Sequence, residues 1–157
     1  MKRIIASLLL AFFSFTFAAC DKDQIRKAAL AAHRVTISLE TAADTKDSLL
    51  SKGIISKDES ARIAVLLLKA VKATRIFNDK VAVYVDANQN VKVAMLTASQ
   101  RDELTRLFDE IVDSIGQLAT QGVVTIGSEK ARQQLDAILA AARASIAIIR
   151  GVLYAHG

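Results

Sequence analysis

Proline and tryptophan are absent from this chain of 157 residues, cysteine occurs once and glycine six times. Without proline the commonest helix breaker is missing. A single cysteine excludes an intramolecular disulfide. Aromatic residues make up 5% of the chain, lean for the core of a β-sandwich or barrel. A strong charge of one sign is also missing. Setting aside Lys2 and Arg3, 19 basic residues stand against 16 acidic ones, too small a surplus for a nucleic-acid footprint. What is abundant is apolar material, 52% of residues. That is enough for a core and disfavours an intrinsically disordered chain. Length and composition together predict one all-α domain.

The first twenty residues carry a separate signal. Lys2 and Arg3 precede a 14-residue apolar run, Ile4 to Phe17, broken only by Ser7, Ser14 and Thr16. This run is short for a transmembrane helix and fits the pattern of a secretory signal peptide. Phe17-Ala18-Ala19-Cys20 then resembles the lipobox of bacterial lipoproteins, with Phe17 where that family commonly has Leu. The resemblance covers these twenty residues and leaves the fold behind them open. It implies a diacylglyceryl group on Cys20, cleavage after Ala19 and acylation of the new N-terminus. Asp21 resembles the inner-membrane retention signal of enterobacterial lipoproteins. Ordinary cleavage after Ala18 and simple export is the alternative reading. The expected organisation is a signal peptide at 1–19, a lipid-anchored tether at 20–23 and a helical bundle over 24–157.

Helical seams run through most of that bundle. A first helix is expected over about Asp23 to Ser51, with Ile25, Ala28, Ala32, Val35, Leu39, Ala42 and Leu49 on one stripe. Gly53 is its C-terminal stop. Ser56 and Glu59 fit a capping box opening a second helix. Its seam, from Ile63, Leu67, Ala70, Thr74 and Phe77 to Val81 and Tyr84, predicts an end near Asp86. A competing pattern of period two, Val81-Val83-Val85 and Val91-Val93-Met95, suggests a β-hairpin over 81–95 as the minority reading. A third helix is capped at Thr97 or Ser99, with Asp102 and Glu103 in its first turn and Gly122 at its end. Ser128 caps a fourth, with Leu135, Leu139, Ala142, Ile146, Ile149 and Leu153 as its seam. Gly53-Ile-Ile-Ser56 resembles Gly122-Val-Val-Thr125, which suggests two similar helical hairpins. Paired, they make an antiparallel four-helix bundle.

Motifs for chemistry are sparse. The histidines are His33 and His156, and neither a His-Glu-x-x-His nor a Glu-x-x-His motif occurs. His33 with Met95 is the one pair that suggests haem ligation. Gly122 to Ser128 begins like a phosphate loop but has Ser128 where the lysine belongs. Asp102, Glu103, Asp109, Glu110 and Asp113 crowd the third helix, where Arg106 is spaced to form surface ion pairs. Lys69, Lys72, Arg75 and Lys80 lie near one face of the second helix. They are either a solvated face or a contact for anionic headgroups or a partner. Ala140 to Ala155 is apolar on almost every side, the mark of a central bundle helix or a partner surface, and Arg143 and Arg150 argue against a membrane span.

The expected function is therefore non-catalytic. No catalytic, metal-binding or cofactor-binding residue is assigned, and no nucleic acid is expected. The chain reads as a small lipid-anchored envelope protein on the periplasmic side of a bacterial membrane, tethered through Cys20. It would bind a protein partner or a second copy of itself through the second or fourth helix. Two further readings are a haem or small-ligand bundle, and an inhibitor, immunity or phage-exclusion lipoprotein.

Overall fold

A computed structural model describes the backbone of residues 2–86, 88, 90–93 and 96–154, and the side chains of those residues from 22 onward. The protein is all-α. Helix α1 is Lys2–Ser51, α2 is Lys57–Val81, α3 is Ala98–Gln117 and α4 is Glu129–Tyr154. Segment Leu118–Val123 prolongs α3 with π-helical hydrogen bonding. Among the described residues there is no strand, only one isolated antiparallel bridge, Val85 to Val91.

The helix ends follow local chemistry. Gly53 takes a positive φ of 67° after α1. The Ile54 amide then donates to the Leu49 carbonyl at 2.9 Å and the Gly53 amide to Leu50 at 2.9 Å. These are the two bonds of a Schellman stop, which satisfies carbonyls the helix leaves open. At the start of α2 the Ser56 amide donates to Glu59 Oε2 at 2.7 Å, and the Glu59 amide donates to Ser56 Oγ at 3.1 Å. Thr97 and Gln100 make the same reciprocal box for α3. The Ala131 amide reaches Ser128 Oγ at 3.4 Å at the start of α4.

Glu59 does more than close its own box. Its Oε1 accepts from the Gly127 amide at 2.7 Å, which joins the α1–α2 connection to the connection before α4. Backbone bonds from Ser56 and Gly127 hold the Glu59 carboxyl below the usual carboxylate range. Its contribution to stability is complete above the ordinary glutamate pKa and is lost as pH falls through the lowered native value. Ser56→Ala is expected to cost about 1 kcal/mol, and Glu59→Ala about 1–2 kcal/mol, in urea unfolding at neutral pH. The Glu59→Ala deficit should shrink on acidification. A deficit that stays constant to low pH would contradict the ionised cap.

The first helix runs from Lys2 rather than from about Asp23, and three further expectations need correcting. First, α2 ends at Val81, not near Asp86. The chain tightens there, with the Tyr84 amide donating to Val81 at 2.8 Å, and Asp86 then organises the loop. Asp86 Oδ1 accepts from the amides of Asn88 at 2.9 Å and Asn90 at 2.8 Å, a local alternative to continuing the helix. Val81 and Tyr84 are both buried, so the seam located the core correctly while overshooting the helix. The hairpin reading reduces to the single Val85–Val91 bridge, and Met95 lies outside the described residues. Second, Thr97 is the cap of α3, and its first turn holds no acidic residue, so Asp102 and Glu103 lie one turn further in. Third, Gly122 does not terminate the third helix. It sits inside the π-helical segment, where a Cβ would come within 3.2 Å of Leu66 and 3.3 Å of Leu118. A side chain there would have to push the ends of these two leucines aside by a few tenths of an ångström. Gly53 takes the left-handed conformation of a helix stop and Gly122 does not, so the two glycines of the suggested repeat are not equivalent.

The helices pack into a bundle-like array around one core. α1 packs most extensively on α4, α2 lies against both α1 and α3, and α3 meets α4 more lightly. Phe77 of α2 and Phe108 of α3 are fully buried, their ring centroids 6.4 Å apart and tilted by 58°. Across the bundle, Asn78 Nδ2 on α2 donates to Thr36 Oγ1 on α1 at 2.9 Å. Gln24 and Ile25 near the bundle's end of α1 line one small cavity with Val152 and Leu153 of α4. At the opposite end, Ser48 and Leu49 line a cleft with Lys130 and Gln134.

Candidate functional site

The exposed face of α2 concentrates the unusual surface chemistry. The buried side is set by Ile63, Leu67, Ala70, Thr74, Phe77 and Val81, spaced three and four apart. Val65 and Leu68 fall on the opposite side and are 69% and 70% exposed, with Ile76 also exposed. Exposed single apolar residues are ordinary, but these line up along one helical face among cations.

The four basic residues expected to act together do not share one environment. Lys80 leans across to α3 and pairs with Glu103 at 2.6 Å. That hydrogen bond raises its pKa, so Lys80 is a structural link between α2 and α3. Lys69 Nζ donates to Gln117 Oε1 at 2.8 Å but stays exposed. Lys72 and Arg75 are exposed beside Leu68. Lys69, Lys72 and Ile76 also line a cleft of about 470 Å³ between α2 and α3, together with Glu110, Asp113 and Ser114. The site therefore consists of Val65, Leu68 and Ile76 among Lys69, Lys72 and Arg75. The sequence signal for the apolar members was their position off the seam.

No protein-family model, curated protein or solved structure matches this chain.

The remaining candidates take ordinary places. His33 is exposed and lines an open cleft of about 430 Å³ with Asn78, Val85 and Asp86. Its suggested haem partner Met95, like His156, lies outside the described residues. Among the described residues no group of three or more His, Cys, Asp or Glu converges to hold a metal ion. In the segment that begins like a phosphate loop, the Gly127 amide is already bound to the Glu59 carboxylate. Three of the five acidic residues of α3 are engaged: Glu103 with Lys80, Glu110 with Arg106 at 2.7 Å, and Asp109 with the Tyr154 hydroxyl at 3.0 Å. The bond to Asp109 pushes the Tyr154 phenol above its usual pKa and ties the end of α4 to α3. The side chain of Cys20 lies outside the described residues.

Helix α4 is buried along one side only. Leu135, Leu139, Ala142, Ile146, Ile149 and Leu153 are buried, whereas Ala137, Ala140, Ala141, Ala144 and Ala147 are exposed. Alanine is the best helix former, so an alanine-rich exposed face stabilises the helix without being covered. Among the described residues α4 is the one helix long and apolar enough to cross a membrane, and 33% of its most apolar window is buried inside the protein. Arg143 pairs with Asp136 within that helix at 3.3 Å.

Proposed function

We propose that this protein is a lipid-anchored, non-catalytic binding or structural module held at a bacterial membrane surface through an acylated Cys20. The observation that carries this reading is the run of Lys2-Arg3, a 14-residue apolar segment and Phe17-Ala18-Ala19-Cys20, with the only cysteine of the chain at the lipobox position. The anchored domain is an antiparallel four-helix bundle. Support comes from the pairing of its ends: Ile25 beside Leu153, Leu49 beside Gln134, Lys69 with Gln117 and Lys80 with Glu103. In such a bundle the anchor lies at the end that also holds the C-terminal ends of α2 and α4.

The mechanism is tethering. Acyl chains confine the bundle to a surface and raise its effective concentration towards anything else held there. One chain binds a bilayer marginally and several bind it durably. The exposed face of α2 is the contact surface in this reading, whether for headgroups, a protein partner or a second copy.

Fractionation of the native host tests this. The protein should stay with the membrane through washes at high salt and alkaline pH and leave it in detergent. Release by salt alone would show a peripheral protein held by charge, and recovery in the soluble fraction would remove the anchor from the account.

A further inference from the structure

We propose that the exposed face of α2, with Val65, Leu68 and Ile76 among Lys69, Lys72 and Arg75, lies flat on an anionic lipid leaflet, so that the bundle rests on its side. This builds on the anchored reading and specifies the partner of that face. Val65, Leu68, Lys72 and Ile76 follow one another at steps of three and four, which puts them in a single line along the helix. Leu68 is 70% exposed, and the cations lie along and beside that line. Apolar side chains at the acyl boundary with lysines and arginines reaching the headgroups are the arrangement of an interfacial helix.

Charge decides between occupants. A second copy packed face to face would set this face, in which Lys69, Lys72 and Arg75 outnumber Asp79, against another of the same net sign, which like charges oppose. An anionic leaflet complements Lys69, Lys72 and Arg75, which outweigh Asp79 at the end of the same line, while Glu110 and Asp113 stand on the α3 side of the cleft beside Lys72. Geometry agrees. α2 has 25 residues, about 37 Å of helix, and in the proposed bundle its Val81 end shares the anchored end of the molecule. A bundle tethered at that end can lie down along the whole of α2. Two or three apolar side chains and three cations make a weak contact alone. Tethering keeps the surface within reach, so the weak contact is occupied.

The test uses Leu68→Cys and, separately, Ala140→Cys, in the full-length protein processed by its host and reconstituted into vesicles. Ala140 is exposed on α4, whose backbone packs on α1 and α3 and not on α2. Each thiol carries a nitroxide whose accessibility to oxygen and to a water-soluble nickel chelate reports depth. In phosphatidylglycerol vesicles the label at 68 should favour oxygen, and in phosphatidylcholine vesicles it should be aqueous. The label at 140 should be aqueous in both. High salt should return the label at 68 to water. So should the combined change Lys69→Glu, Lys72→Glu and Arg75→Glu, by weakening the contact about a hundredfold or more. A label at 68 that is aqueous in phosphatidylglycerol vesicles overturns the proposal. One that is immobilised yet aqueous there overturns it in favour of a protein on this face. The mass of the labelled chain reports the anchor separately. One nitroxide per chain means Cys20 is blocked, whereas two mean it is free. In that case the anchored reading fails, and the depth measurement is repeated with Cys20→Ser.

Discussion

Phe108→Ala is expected to destabilise the protein by about 3–5 kcal/mol. Phe108 is completely buried on α3, packed at 6.4 Å from the equally buried Phe77 of α2. Removing the ring leaves a cavity that neighbouring helices fill only in part, so lost transfer energy and lost packing add together. A domain of this size is typically stable by about 5–15 kcal/mol, so the loss takes a large part of the margin. The melting temperature should fall by roughly 10 °C or more. Phe108→Leu keeps most of the volume and should cost much less. In a double-mutant cycle, Phe77→Ala and Phe108→Ala should couple by about 1 kcal/mol, the value of a tilted aromatic pair. Thermal unfolding of the four variants checks both figures. A cost below 1 kcal/mol for Phe108→Ala would mean that α2 and α3 do not close on this pair.

The second large effect is chemical. Cys20→Ser should abolish incorporation of labelled fatty acid into the protein. Serine offers no thiol for the diacylglyceryl group, and this chain has no other cysteine to replace it. Each buried methylene of an acyl chain is worth about 0.8 kcal/mol, so loss of all chains removes far more membrane affinity than the α2 face supplies. Incorporation that persists in Cys20→Ser would place the lipid elsewhere or show that the label enters by another route. Lys72→Ala should leave incorporation unchanged, because Lys72 lies far along the chain from the lipobox-like segment.

Much of the fold was legible because it depends on local rules. The seams of α3 and α4 are buried as their spacing requires: Leu104, Phe108, Ile111 and Ile115 in one, Leu135, Leu139 and Ile149 in the other. Ser56 and Glu59 announced the start of α2 by residue type and spacing alone. Its end was harder to read. Val81 and Tyr84 continue the apolar rhythm into the core, but the backbone leaves the helix and Asp86 captures the amides of Asn88 and Asn90. Periodicity reports which side chains are buried, and a turn can bury the same side chains.

Gly122 shows a second limit. A glycine after an apolar seam reads as a helix stop, and at Gly53 it is one. Gly122 instead lies inside the π-helical segment and packs near Leu66 of another helix, 56 positions earlier in the chain. The candidate face was legible to the same extent. The helical period placed Lys69, Lys72, Arg75 and Lys80 near each other. It did not show that Glu103 would draw Lys80 towards α3 or that Leu68 would stand open between the others. Those facts depend on which helix lies beside which.

The central claim is that Cys20 carries the lipid that holds this bundle at a membrane. Intact mass spectrometry of the protein extracted with detergent from its native host measures this directly. The account predicts a chain that begins at Cys20 and carries the added mass of its acyl groups. A chain cut after Ala18 with an unmodified Cys20, or one that keeps residues 1–19, would contradict it.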